Sequence, residues 1–247
     1  MKLTNALVTS NGQIDMYAAQ KELGALSVTT TLAGLKSGVE NRTTNPASSN
    51  MVANYGGDIT LNGAEVYGTG VVSLFAGAGG GGQLTTSAAY INGTVVKSLV
   101  RGQDVRQTAS TLRLADTDLV GLSAVSQFAH RAGGIVMDRG RIQTHNLRIE
   151  ALTGDAVTAT YRNLSAITVG KRLVIDVAGV ADVQADAITA GIFDLTDTPS
   201  VILNGTLKNY ANNNLDVTAT NDLPLQGTSH RRHINLVSFN VVLAYTV

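Results

Sequence analysis

Residues 87–100 read SAAYINGTVVKSLV, an Asn-Gly pair (Asn92-Gly93) set between apolar and β-branched runs. Type I′ turns need positive φ at both central residues, and Asn-Gly is the strongest short-range signal for such a hairpin. The pattern recurs. Asn62-Gly63 separates DITL from AEVYG, and Asn204-Gly205 separates SVIL from TLKNY; Asn11-Gly12 is a fourth, in weaker context. Three such signals predict antiparallel sheet. Beyond Asn146 come short β-type runs (LRIEAL, AVTATY, SAITV, RLVIDVA), with turn candidates about 8 to 12 residues apart. The expected fold is mainly β, an antiparallel sandwich or barrel. No fixed period in the sequence points to a solenoid.

Two helical features are expected beside the sheet. Leu119, Leu122, Val125 and Phe128 recur at a spacing of three, with Asp116, Thr117 and Asp118 as caps and Gly133-Gly134 as the stop, which predicts one central helix. Asp15 can cap a short helix through Met16, Ala19, Leu23 and Leu26. The polar stretch NRTTNPASSN (41–50) follows it. Residues 1–55 therefore read as a partly helical N-terminal arm and 56–247 as a β-rich body, with a candidate subdivision near residue 145.

Composition narrows the chemistry. The 247 residues include no cysteine, which excludes disulfides, thiolate metal sites and cysteine nucleophiles. Eighteen basic residues balance eighteen acidic ones, so no electrostatic excess favours nucleic acid. The N-terminal run is too polar for a signal-peptide core, and no apolar stretch is long enough for a membrane-spanning helix. Charged residues make up only 15%, against roughly 25% in average soluble domains. A neutral surface rich in Thr, Ser and Asn resists self-contact weakly, because no net charge keeps copies apart. Self-association is the expectation.

No constellation carries an assigned chemistry. Gly77, Gly79 and Gly82 form G-x-G-x-x-G after the apolar run VVSLF, but QLTTSAAYING follows where a dinucleotide site needs a helix. A hairpin tip or a close-packed loop is expected there. His130, His145, His230 and His233 are expected as surface or interface groups, since the arginines between His230 and His233 oppose a metal. Asp116/Asp118, Asp182/Asp186 and Asp194/Asp197 fit caps and turns better than a calcium loop. No G-x-S-x-G, S-x-x-K or H-E-x-x-H occurs. Accordingly no catalytic, cofactor-binding or metal-binding residue is assigned, no cofactor is expected, and the enzyme reading is weak.

Residues 19–54 resemble the N-terminal region of bacterial flagellins at Leu35-Lys36-Ser37-Gly38 and Asn45-Pro46-Ala47. Flagellins end in a long helix that pairs with the N-terminal one, whereas this C-terminus reads as strand, so the chain is not assigned to them. The cysteine-free, Ala/Gly/Thr/Asn-rich, weakly charged β texture is similar to virion structural proteins, especially those of bacteriophages. The expectation is a self-assembling virion component (capsid, decoration or tail), made in the host cytoplasm and partnered by its own copies and other particle proteins. An adhesin or carbohydrate-binding β module and a cellular filament subunit are the alternatives.

Overall fold

Apolar and polar side chains alternate through most of residues 58–190, and this period of two places one set of side chains inward along each strand. Their neighbours decide the architecture. Val66 lies beside Val100, Val100 beside Leu119, then Ile142, Ile167 and Ile188, every pair in parallel register. Ile59, Leu84, Leu112, Ile135, Ala159, Ala181 and Val201 form a second such column. A third runs Val72, Val105, Phe128, Leu147, Leu173, Phe193. The computed structural model is thus a β-solenoid arrangement: each turn of chain lays a strand on three faces, and the next turn stacks on it. It describes, with side chains, residues 8, 57–76, 82–90, 93–151, 157–195, 198 and 201–205, and elsewhere the backbone of strands. Strands make up 81% of the described residues, with no helix.

The first face stacks Lys2–Thr4, Ala25–Thr29, Asp58–Asn62 and Gln83–Ser87, then the leading parts of Thr111–Gly121, Gly134–Ala151, Thr158–Val177, Val180–Ala190 and Ser200–Asn209, then Leu223–Gln226 and Val241–Ala244. Eleven strands at ~4.8 Å spacing span about 50 Å. Among the described residues only Ala89–Ile91 with Thr94–Val96 pairs antiparallel; this hairpin is inserted where the chain passes from the first face to the second.

The sandwich or barrel is therefore corrected to a solenoid. Of the three Asn-Gly pairs, only Asn92-Gly93 joins antiparallel strands. Gly63 (φ +57°) and Gly205 (φ +142°) do adopt positive φ, but as corners that send the chain to another face. In other turns this corner is made by Asp116 (φ +46°), Arg139 (φ +56°) and Asn163 (φ +53°), which lie one above another. A single left-handed residue turns the chain and shifts the inward phase, so Leu112 and Leu114 point inward before the corner, Thr117 and Leu119 after it. The repeat escapes a fixed-period reading because first-face strands begin at 2, 25, 58, 83, 111, 134, 158, 180, 200, 223 and 241, at intervals of 23, 33, 25, 28, 23, 24, 22, 20, 23 and 18 residues.

The central helix is also corrected. Thr111–Gly121 and Gln127–Arg131 are strands with an irregular corner between them. Leu119 and Phe128 belong to two interior columns, whereas Val125 is 60% exposed on the corner, so the spacing of three bridges two faces. Of the short helix expected from Asp15 to Leu26, Asp15 and Met16 lie on the strand Ile14–Ala18 and Leu26 on the strand Ala25–Thr29, whereas 19–24 lie outside the described residues, as does 42–49 of the polar stretch.

Close stacking makes Gly140 one of several glycines with no room for a side chain. A Cβ on Gly140 would sit 2.0 Å from the Thr117 carbonyl oxygen of the turn beneath, whereas one on Gly134 would meet nothing within 4 Å. Gly140→Ala is expected to destabilise by about 2 kcal/mol, and Gly134→Ala to stay within about 1 kcal/mol of the parent. Urea denaturation of the two variants checks this; equal midpoints would contradict the corner packing.

Candidate functional site

The corner between the second and third faces is built largely from glycine: Gly102 beneath Gly121, and Gly170 and Gly191 in later turns. His145 occupies this corner in the turn below Gly170, with Nδ1 2.8 Å from where a Gly170 Cβ would stand. Missing side chains and the projecting corner 122–126 leave a cleft of about 390 Å³. Its polar wall is fixed from within. Ser126 Oγ lies 3.2 Å from Thr144 Oγ1 and accepts the His145 backbone N–H at 3.1 Å. Ser123 Oγ donates to Gln103 Oε1 at 2.6 Å. The cleft therefore offers one imidazole, several hydroxyls and the Gln143 amide, a neutral hydrogen-bonding surface suited to a polar, uncharged guest.

His130, expected at the surface, is fully buried. It sits on the inner side of the third face, in a column running Leu74, Gln107, His130, Ile149. Nδ1 lies 2.8 Å from the Tyr161 hydroxyl, which reaches across from the first face, and the rings are parallel within 8°. The phenol O–H can donate to Nδ1, which puts the ring proton on Nε2. Burial lowers the His130 pKa to about 4 and pushes the Tyr161 hydroxyl well above its usual value. The Gln107 amide and His130 Nε2 have no hydrogen-bond partner among the described residues. His145 belongs to the cleft; His230 and His233 lie outside the described residues.

The acidic groups are placed by stacking. Asp116 accepts from Arg139 Nε at 3.0 Å, and Asp118 from Arg141 Nε at 3.1 Å, in the next turn. Arg162 approaches Asp182 at 3.5 Å and Arg172 approaches Asp194 at 3.1 Å, again one turn apart. Glu150 receives Arg131 Nε at 2.9 Å and Arg148 Nε at 2.8 Å, and Arg148 also bonds Asp176. Burial works to raise the Glu150 carboxyl, but the two arginines outweigh it and hold it below its ordinary value. The cap expected at Asp116 and Asp118 is thus a corner and an outward ion pair. The sequence signal for both lies in ADTD (115–118) and DRGR (138–141), acids and bases at matching positions 23 residues apart. Gly82 is buried, and its carbonyl accepts from Ser110 Oγ at 2.6 Å, whereas 77–81, Asp197 and Asn92 lie outside the described residues.

Comparison of the chain with protein-family models, with curated proteins and with solved structures finds no match.

The buried imidazole gives a pH signature. Its folded pKa of about 4 lies below the unfolded value of 6.5, so the unfolded chain binds the proton more readily. This contribution is complete above pH 6.5 and is lost as pH falls toward 4. Between pH 7 and pH 5 the expected loss is about 2 kcal/mol. His130→Leu combined with Tyr161→Phe removes both polar partners, and urea titrations should then show a correspondingly shallower slope over that window. An unchanged slope would refute the buried neutral imidazole.

Proposed function

We propose that this chain is a self-assembling structural protein of a virus particle, best matched to a bacteriophage capsid, decoration or tail component, in which the solenoid serves as a stiff wall or shaft. The observation that carries the reading is the compensation of outward charge within the chain. Arginine and carboxylate side chains of successive turns pair with one another from Asp116–Arg139 to Arg172–Asp194. Together with zero net charge, this gives a wall on which copies meet without net repulsion. A continuously hydrogen-bonded stack also keeps its shape when it carries load between neighbours.

The particle assignment draws on composition: a cysteine-free, weakly charged chain rich in Ala, Gly, Thr and Asn. Its partners would be its own copies and other particle proteins, and its location the virion after synthesis in the host cytoplasm. A surface-binding module is the second reading, favoured by the neutral corner cleft and by the hairpin, on which Tyr90 is 75% and Val95 54% exposed in cross-strand register.

Light scattering coupled to size exclusion, followed by negative-stain imaging, tests the first reading. A tube, shell, ring or discrete trimer is the expected outcome. A monomer at tens of micromolar would overturn self-assembly and favour the binding module.

A further inference from the structure

On the outer side of the third face, Arg106, Ala129, Arg148 and Val174 stand in one parallel register, and Asp104, Gln127, Asn146 and Arg172 in the adjacent one. Ala129 is the short member between two arginines, and above it lies a notch of about 280 Å³. Arg106 and Arg148 flank the notch two rungs apart, about 10 Å between backbones. Arg148 is held by Glu150 and Asp176, and Arg172 by Asp194, so both guanidinium groups are fixed in place. Arg106 is exposed and forms no ion pair among the described residues.

We propose that this notch binds one unit of an acidic sugar. A carboxylate seated over Ala129 would lie between the guanidinium of Arg106 on one side and that of Arg148 on the other, and arginine is the side chain best suited to oxyanions. Gln127 and Asn146, beside it in the neighbouring register, supply amide donors and acceptors for ring hydroxyls. The surroundings limit the ligand's charge. Asp104, Glu150, Asp176 and Asp194 ring the same face, so a densely charged polyanion such as nucleic acid would be repelled far more strongly than a single carboxylate among neutral hydroxyls. This site is independent of self-assembly and of the neutral corner cleft.

The test uses the full chain at low ionic strength, where a surface charge contact is least screened. Methyl β-glucuronide, methyl β-glucoside and sodium sulfate are titrated in turn while the arginine Nε–Hε resonances are followed by NMR. Saturable shifts at Arg106 and Arg148 are expected with the glucuronide, with the glucoside and sulfate at least tenfold weaker. Arg106→Gln should weaken glucuronide binding about tenfold and Ala129→Phe should abolish it. Arg106→Gln should leave the melting temperature unchanged, because this side chain holds nothing in the described structure. If Ala129→Phe lowers the melting temperature, Arg106→Gln alone decides. An absence of saturation, an equal response to glucoside, an equal response to sulfate, or parental affinity in Arg106→Gln would each overturn the assignment.

Discussion

Every feature of this protein depends on one turn of chain lying in parallel register on the next. A single turn has too little interior of its own; its inward side chains are covered by the other faces and by the same positions above and below. The column Val66, Val100, Leu119, Ile142, Ile167, Ile188 shows the consequence, since each member is buried by the others and lies beside the same face position of its neighbours. Backbone hydrogen bonds along the stack and apolar contacts within it therefore impose the same register. A substitution in one turn acts on the two beside it.

The corners are where this constraint meets local chemistry. Left-handed backbone is costly for ordinary side chains and less so for Asn and Asp. Here Asp116, Arg139 and Asn163 occupy it in successive turns. Their own contacts hold them: Arg139 bonds Asp116 below, and Asn163 Nδ2 donates to Asp138 Oδ1 at 2.8 Å. The second corner uses glycine instead, and the space that glycine leaves becomes the cleft beside His145. One corner thus spends its polar groups on holding the stack, while the other leaves hydroxyls and an imidazole facing outward.

The outer faces follow the same rule of adjacency. Parallel register puts acid over base between turns, and the resulting ion pairs make the wall compact in charge. Such exposed pairs contribute little stability individually. Their larger effect is on the field outside the wall, because acid and base on successive turns cancel one another's charge. The interior makes a contrasting choice in the column Leu74, Gln107, His130, Ile149, where an imidazole and an amide sit among aliphatic side chains and couple the stack to pH.

By itself the sequence determined that this protein is β-rich and that positive φ falls at the Asn-Gly glycines Gly63, Gly93 and Gly205, because both are local properties of neighbouring residues. Gly63 and Gly205 do turn left-handed, and Asn92-Gly93 does close a hairpin. It did not yield the direction of strand pairing, since the same Asn-Gly corner serves a hairpin or a solenoid and only the partner strand distinguishes them. Nor could it place His130 under Tyr161 or Arg106 across Ala129 from Arg148, pairs separated by 31 and 42 positions. Intervals varying from 18 to 33 residues hide the repeat that brings them together. The tertiary structure decided these placements, because hydrogen bonds between successive turns, rather than the spacing of residues within one turn, set which side chains meet.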